Sequence, residues 1–446
     1  MVDTMPRPYC FVLMPFGQKR DASGTTVDCD AVYRDVIHPA IDAAELEPIR
    51  ADEEQVGGVI HKPMYERLLF CPYAVADLTT ANANVFYELG VRHAVRPGRT
   101  VTLASSVTQL PFDVNHLRSL IYSLSPGGVP ANPAVPRDAL TARLRTAREG
   151  TTDSPLFQLV DGWRPAPLDH TKTDVFREQV DYSVEMKRRL AKARADGVHA
   201  IQAVEATLPS VEDAEAGIVV DLFLSYRAVK AWQQMVALVG RMARPVAATT
   251  MVREQLALAL NRNGQGEEAE QVLRAIVDER GPSSETCGIL GRVYKDRWEA
   301  AMQEDDRFLA AGALDQAIET YRRGFEADWR DAYPGVNAVT LMELKEPPDP
   351  ARSQLLPVVR YAVGRRIAAG SPDYWDWATA VELGVLASDE DAAMAALRKA
   401  LPLIREVWEP ETTAHNIRLI REARDRRGTA ESWLTTVEQQ LTKRAS

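Results

Sequence analysis

The hydrophobic pattern of this 446-residue chain changes character near Asp174. Before that point, short apolar runs alternate with amphipathic segments, which is typical of strands that alternate with helices. After it, almost every segment has the apolar spacing of a helix with one buried face. The chain is also too long for one ordinary core, so the pattern predicts an α/β part followed by an all-α part.

In the first part, short apolar runs predict strands and the amphipathic segments between them predict helices. The strands are expected at Tyr9–Met14, Leu46–Arg50, Ala74–Ala76 and Arg99–Ser105, and the helices at Val32–Ala44, Val59–Phe70 and Val85–Ala94. This alternation favours a parallel, doubly wound sheet. The α/β domain is therefore predicted to span residues 1–125.

A stretch rich in proline and glycine, Ser125–Pro136, comes next. It predicts a linker or a surface excursion, followed by a short helix over Arg137–Arg148 and a second polar stretch over Gly150–Thr173. We therefore assign residues 126–173 to a linker with a short helix.

The helical part, residues 174–446, contains pairs of helices joined by short turns. Leu256–Asn261, Gly264 and Glu267–Ala269 predict a helix, a tight turn and a second helix. This unit resembles a tetratricopeptide repeat, whose small residues let paired helices approach closely. A second copy has its small and aromatic side chains in a similar order, at Gly288, Gly291, Tyr294, Ala313, Ala317, Tyr321 and Phe325.

Composition argues against several classes of function. The formal net charge is −10, from 53 Lys and Arg against 63 Asp and Glu, whereas a nucleic-acid partner needs a basic face. The four cysteines and the histidines lack metal-ligand spacing, and we expect neither a metal nor a cofactor. We also expect no membrane span, because no long apolar run occurs. Sparse cysteines indicate a reducing compartment, so a cytoplasmic protein is expected.

The segment best suited to chemistry follows the strand at Ala74–Ala76. Asp77 stands at the carboxyl end of that strand, the edge where ligands bind in open α/β sheets. Short polar side chains, Thr79 and Asn82, follow in the loop. They place hydrogen-bonding groups where a ligand is expected.

The helix after this loop adds a second carboxylate. We predict Asn84 as its N-cap and Tyr87 and Glu88 in its first turn. A carboxylate is favoured at that end of a helix and can face a ligand. The alternative is that Glu88 is an ordinary first-turn carboxylate and that Asp77 caps a turn.

Residues 8–125 resemble the nucleoside 2-deoxyribosyltransferases and the bacterial TIR-like domains related to them. The matching groups are Met14–Gly17, Arg50–Asp52, Asp77 and Asn82–Gly90. The resemblance implies a flavodoxin-like sheet and a nucleoside site in which Glu88 attacks or stabilises the anomeric carbon and Asp77 assists. It also implies ligand contacts, from Phe16, Gly17, Asp52, Thr79, Asn82, Asn84 and Tyr87.

Residues from about 176 to 344 resemble the TRAF-binding central regulatory region of apoptosis signal-regulating kinases. The matching groups include Phe176–Glu178, Ile218–Arg227, Gly288–Asp296, Tyr321–Phe325 and Tyr333–Asn337. In those kinases the region is a regulatory, partner-binding platform. Kinase motifs are absent from this sequence, so the resemblance does not extend to kinase activity.

These patterns together predict a signalling protein. Its first domain binds a nucleoside-containing ligand such as NAD and is a candidate nucleotide N-glycosidase, and its repeats bind a protein partner or form a homo-oligomer. One alternative is a scaffold whose α/β domain is catalytically silent. Another is deoxyribosyl transfer in nucleotide salvage, which the attached repeats disfavour.

Overall fold

The computed structural model describes residues 7–21, 25–50, 61–96, 98–108, 110–111, 114, 117–149, 154–160, 170–368, 370 and 372–445. Its contacts divide the chain into two compact units, residues up to Ser225 and residues from Tyr226 onward. None of the helices in the described ranges has the length and apolar character needed to cross a membrane.

The N-terminal unit is built on a parallel sheet. Its described strands are β1 (Tyr9–Leu13), β2 (Gln18–Arg20), β3 (Thr26–Asp28), β4 (Glu47–Arg50), β5 (Tyr73–Asp77), β6 (Thr100–Ser105) and β7 (Leu120–Tyr122). Five of them pair in parallel in the order β4-β1-β5-β6-β7, while β2 and β3 form a separate antiparallel hairpin. The predicted parallel sheet is confirmed. Numbered along the chain, these five strands have the order 2-1-3-4-5 of many doubly wound sheets, and the flavodoxin-like assignment itself stays a prediction.

Helices cover both faces of this sheet. The described helices of the unit are α1 (Cys29–Val32), a π-helical turn (Tyr33–Ile37), α2 (His38–Ala43), α3 (His61–Phe70), α4 (Ala83–Val95), α5 (Ala134–Thr146), a 3-10 turn (Ala147–Glu149), α6 (Pro155–Leu159), α7 (His170–Asp196) and α8 (Val198–Glu205). In β1, Cys10 and Val12 join the core on one face, whereas Phe11 and Leu13 join the core on the other. Two buried faces explain why this strand is apolar throughout.

The segment predicted as a linker with a short helix, residues 126–173, contains α5, which packs on the sheet. Leu140 and Leu144 of α5 are fully buried in the core that α1 and α2 build against the sheet. The preceding glycine-rich turn also packs on the unit, since the carbonyl of Gly128 accepts a hydrogen bond from Asp28 N–H at 2.9 Å. The apolar spacing within α5 indicated a buried face, but the prolines before this helix favoured the interpretation as a linker. The predicted limits of the domains stay a prediction.

The C-terminal unit is a series of helices. After α9 (Ala216–Ala228), which contains the division between the units, come α10 (Trp232–Val239), α11 (Arg244–Ala247), α12 (Thr250–Arg262), α13 (Gly266–Arg280), α14 (Ser284–Gln303), α15 (Arg307–Ala327), α16 (Ala332–Leu344), α17 (Arg352–Ala368), α18 (Tyr374–Leu386), α19 (Glu390–Ala400), a 3-10 turn (Leu401–Leu403), α20 (Trp408–Arg426) and α21 (Trp433–Ala445). Consecutive helices from α12 to α19 pack against each other, as do α20 and α21. The predicted helical-repeat architecture is confirmed.

Small residues allow these helices to approach closely. A Cβ on Gly291 of α14 would lie 2.7 Å from the ring of Tyr321 on α15, and one on Gly384 of α18 would lie 2.8 Å from the backbone of Ala393 on α19. Gly264, in the turn between α12 and α13, has a φ of +81°, a backbone conformation that residues other than glycine rarely adopt. Close packing or backbone conformation therefore explains why glycine occurs at these positions.

Candidate functional site

The carboxyl edge of the sheet, where the sequence predicts the site, carries a closed hydrogen-bond cluster around Asp77. Asp77 ends β5 and is buried. Its Oδ1 accepts hydrogen bonds from the backbone N–H and the hydroxyl of Thr79, and its Oδ2 accepts one from the hydroxyl of Tyr122 at 3.0 Å. The hydroxyls of Thr79 and Tyr122 lie 2.7 Å apart. Contact between Asp77 and a ribose would therefore require one of these side chains to move.

Burial raises the pKa of Asp77, against the opposing effect of its hydrogen bonds from Thr79 and Tyr122. The same surroundings raise the pKa of the Tyr122 hydroxyl well above its ordinary value, chiefly through burial. Burial therefore favours the uncharged form of both groups.

We expect Asp77→Asn to flatten the pH dependence of stability of the N-terminal unit. Because the folded pKa of Asp77 is raised above the value of about 3.9 in an unfolded chain, its contribution to stability is complete below about pH 4 and is lost as the pH rises through the raised pKa. An amide reproduces the protonated hydrogen-bond pattern without a charge to bury. Urea unfolding of both proteins between about pH 4 and pH 8, followed by circular dichroism, checks the slope. If the unfolding free energies of the two proteins depended equally on pH, the result would contradict a raised pKa of Asp77.

The helix after Asp77 begins two residues earlier than predicted. The N-cap of α4 is Asn82, whose Oδ1 accepts hydrogen bonds from the N–H groups of Asn84 (2.9 Å) and Val85 (3.3 Å). Asn84, predicted as the N-cap, is an exposed first-turn residue. Its own carboxamide was a plausible cap, but the extended backbone of Asn82 decides the choice. Glu88 consequently lies in the second turn and is half-buried, so the helix dipole favours its carboxylate less than predicted.

Arg50, at the end of β4, organises the part of the edge that contains Phe16. Its guanidinium carbon lies 4.3 Å from the centre of the Phe16 ring and 4.6 Å from that of the Tyr33 ring. The guanidinium also donates to a carboxylate oxygen of Asp30 at 2.5 Å. Gly17, next to this stack, has a φ of +64°. Phe16 and Gly17 thus adjoin the cation of Arg50, a residue of one matching motif for which no ligand role was predicted.

The other predicted contacts are dispersed. Tyr87 is exposed, and its hydroxyl lies 2.7 Å from that of Tyr65 on α3. Thr79 belongs to the Asp77 cluster, Asn82 caps α4, and Asp52 lies outside the described residues. The ligand-binding roles of all these residues stay predictions.

A groove in the C-terminal unit has a volume of about 730 Å³. Residues from α12, α14, α16, α17, α18 and α20 line it. Its charged and aromatic lining includes Arg262, Arg292, Lys295, Asp331, Tyr333, Arg366, Trp375, Asp376, Glu382, Trp408, Glu411 and His415. A volume of this size, lined by both polar and aromatic side chains, is typical of binding clefts in other proteins.

A chain of buried polar groups forms one wall of this groove. The ammonium of Lys295 donates to Asn416 Oδ1 at 3.1 Å, and the Asn416 amide donates to Glu382 Oε2, also at 3.1 Å. The hydroxyl of Thr340 donates to the other oxygen of Glu382. Burial lowers the pKa of Lys295, and it raises the pKa of Glu382. These opposite shifts have one cause, because burial penalises each charged form.

Aromatic side chains form a second wall. The rings of Trp375 and Trp408 lie 5.5 Å apart, and Trp408 is 47% exposed. A large aromatic ring that is half open to solvent beside a cleft is a common anchor for a partner. Arg366 and Asp376 form an ion pair at the same groove.

The sequence patterns did not predict this groove, although one of its residues indicated a buried polar partner. Glu382 interrupts a strongly apolar stretch of helix, Ala-Val-Glu-Leu-Gly-Val, whereas Lys295 begins the charged run Lys-Asp-Arg. Charged residues at core positions are expected to have buried partners. The partners themselves are distant in sequence, since Lys295 and Asn416 are 121 residues apart.

The helices that build the groove lie within a segment of known family. The sequence model of the "MAP3K TRAFs-binding domain" family matches residues 85–441, well over half of the chain. The chain belongs to this family. The predicted resemblance of residues 176–344 to the central region of those kinases is therefore confirmed. No comparison supports the resemblance of residues 8–125 to deoxyribosyltransferases or TIR-like domains, which stays a prediction.

Three relatives of this MAP3K TRAFs-binding domain are mitogen-activated protein kinase kinase kinases. The nsy-1 kinase of Caenorhabditis elegans is 31% identical over 219 residues, which cover 45% of this chain and 14% of that protein. Kinase kinase kinase 15 of Mus musculus is 27% identical over 225 residues, 48% of this chain and 16% of that protein. Kinase kinase kinase 6 of Homo sapiens is 27% identical over 360 residues, 73% of this chain and 27% of that protein. The chain thus spans less than a third of each relative.

Among solved structures, a tetratricopeptide repeat protein from Parabacteroides merdae matches 60% of this chain and 98% of its own, at 13% identity and a TM-score of 0.33. This likeness is too low to carry an argument. The repeat architecture rests on the helices described above.

Proposed function

We propose that this MAP3K TRAFs-binding domain is a regulatory module of a signalling protein and that it holds a protein partner in the groove between α12 and α20. The proposal rests on the groove itself, since half-exposed Trp408 and the adjacent Trp375 stand beside buried polar groups. Aromatic anchors flanked by polar groups supply most of the affinity in many protein interfaces. Partner binding by the repeats is also what the scaffold alternative of the sequence analysis expects.

The family and the relatives give the proposal its context. The family is described by its binding of TRAFs, and the relatives are named as kinases. The chain covers less than a third of each relative, so the proposal concerns partner binding and regulation rather than kinase activity. A repeat array suits this role because stacked helices present one extended concave surface.

Site-specific photo-crosslinking in the producing cell tests the proposal. Benzoylphenylalanine in place of Trp408 is expected to crosslink one defined protein, because the side chain lines the groove. The same amino acid in place of Phe308 provides the matched control. Phe308 is 94% exposed on α15 but is not part of the groove. Absence of a protein crosslink at Trp408, or the same products from both positions, would overturn the proposal.

Nucleotide cleavage by the N-terminal unit is the second candidate. It is supported by the carboxyl edge of the sheet, where Phe16, Gly17 and Arg50 meet and where ligands bind in related folds. In this candidate Glu88 stabilises the oxocarbenium-like transition state as the bond between base and sugar breaks. Asp77, enclosed by Thr79 and Tyr122, orients the loop rather than the ribose.

Product analysis separates this candidate from a silent domain. Purified protein is incubated with NAD, alone and with any crosslinked partner, and released nicotinamide is measured. The candidate expects release that Glu88→Gln abolishes, because an amide cannot stabilise the positive charge. Ala94→Ser, a change at an exposed residue near the end of α4, is the control for general damage to that helix. Equal release by wild type and Glu88→Gln, or none under either condition, would count against it.

A further inference from the structure

Two acids of the groove, Asp331 and Asp376, already have hydrogen-bond partners within the fold. Asp331 caps α16 through the N–H of Tyr333 and accepts a hydrogen bond from Ser284. Asp376 belongs to the capping box of α18 and pairs with Arg366. These carboxylates therefore have partners within the unit.

The cations have donors left over. Lys295 is 2% exposed, and among the described residues its ammonium donates one hydrogen bond, to Asn416. Glu299 is 4.0 Å away, too far for a hydrogen bond. An ammonium has three donors, so two remain. Arg292 donates through its Nε to Asp296, and the described contacts use none of its other nitrogens. Arg262 is exposed, and no ion pair or hydrogen bond of its side chain occurs among the described residues.

We infer that the groove recognises an acidic peptide, in which one carboxylate side chain reaches Lys295 and a neighbouring apolar side chain packs on Trp408. The inference rests on the proposed function and names the chemistry of its partner. Charge complementarity supports it, because Lys295, Arg292 and Arg262 have unused donors along the groove. Among the described acids near them, only the exposed Glu411 and Glu299 Oε1 lack a hydrogen bond. A singly charged carboxylate suits one buried ammonium, and the nearby Glu299 and Glu382 disfavour a doubly charged phosphate.

Binding of such a carboxylate would also change the state of the lysine. Burial lowers the pKa of the Lys295 ammonium, and an anion within hydrogen-bond distance offsets that penalty. A charge-assisted hydrogen bond in a buried site is stronger than one between neutral groups. The carboxylate is therefore expected to contribute much of the affinity.

Selection from a random library tests this inference. Phage-displayed 12-residue peptides (about the length of a short linear motif) are selected on the full chain. Enriched peptides are expected to share Asp or Glu next to an aromatic residue or leucine. Selection of uncharged or basic peptides, or failure to select any peptide, would overturn the inference.

Synthetic versions of one selected peptide then locate the contact by fluorescence anisotropy. Lys295→Met keeps the apolar stem and is expected to weaken binding about 10-fold or more, through the lost charged hydrogen bond. Arg262→Gln is at an exposed position, so it can still test the inference if Lys295→Met does not fold. It is expected to weaken binding about 2- to 5-fold. Glu304→Gln, a change of charge at an exposed acid outside the groove, is not expected to weaken it.

The peptide itself is varied in parallel. Replacing its acid by glutamine is expected to weaken binding about as much as Lys295→Met, and replacing it by phosphoserine is not expected to strengthen binding. A phosphoserine peptide that binds better would assign the groove to phosphopeptides instead. A crosslink at Trp408 together with acid-independent peptides would leave the proposed function standing and remove only this inference.

Discussion

Replacing Glu343 by alanine is expected to lower the free energy of unfolding of the C-terminal unit by about 3–5 kcal/mol. Glu343 ends α16 with its side chain 3% exposed, and its Oε1 accepts hydrogen bonds from Arg424 (2.9 Å) and Arg427 (2.7 Å). Its Oε2 lies 3.0 Å from Arg352 of α17. Removal of the carboxylate leaves three guanidinium groups together, and Arg424 is itself buried. Loss of one partner from a buried pair is costly because the other charge stays out of water.

A nearby exposed pair provides the control for this prediction. Glu346 and Arg426 approach to 2.7 Å, but both side chains are more than half exposed, so Glu346→Ala is expected to cost no more than about 1 kcal/mol. Urea unfolding followed by tryptophan fluorescence measures both variants. Seven of the eight tryptophans, all except Trp163, belong to the C-terminal unit, so the signal reports mainly on that unit. Similar losses from both substitutions would show that burial does not decide the effect.

Gly384→Ala is expected to destabilise the same unit by about 1–3 kcal/mol, although alanine is the better helix former. Its Cβ would lie 2.8 Å from the backbone nitrogen and Cα of Ala393. Backbone atoms of a packed helix cannot rotate away as a side-chain end can, so α18 and α19 must separate. Overpacking of this kind costs about 1–3 kcal/mol after repacking, which exceeds the gain of about 0.5–1 kcal/mol from replacing a helical glycine.

Two helical glycines with open space provide controls of opposite sign. No atom lies within 4 Å of a Cβ built on Gly312 of α15 or Gly364 of α17. Gly312→Ala and Gly364→Ala are therefore expected to stabilise the unit by about 0.5–1 kcal/mol each. Thermal and urea unfolding distinguish the three variants. A stabilised Gly384→Ala variant would mean that the α18–α19 contact is looser than described.

Apolar periodicity was sufficient to locate most elements but not their ends or their partners. The runs at Tyr9–Met14 and Ala74–Ala76 became β1 and β5 within a residue or so, because both faces of these strands are covered. The start of α4 was misplaced, since Asn82 and Asn84 have equal capping chemistry and only the backbone of Asn82 is extended. The short hairpin of β2 and β3 was not predicted, because its exposed residues have no apolar alternation.

The candidate sites were also predicted only in part from the sequence. Asp77 was expected at the carboxyl edge of the sheet and lies there, but Tyr122, 45 residues away in sequence, encloses it. The groove could not be assembled from local patterns, because its walls come from helices spread over more than a hundred residues. An isolated charge within an apolar helix, such as Glu382, indicates that such long-range partners exist without identifying them.

The last helix pair also determines how the chain can be shortened. In many solenoids a terminal repeat can be deleted because each repeat touches only its neighbours. Here α20 supplies Asn416 to Lys295 of α14 and Arg424 to Glu343 of α16, bypassing the intervening repeats. A protein ending before Trp408 would remove the hydrogen-bond partner of Lys295 and two of the three guanidinium groups around Glu343. We therefore expect the helices from α14 to α20 to unfold as one cooperative unit.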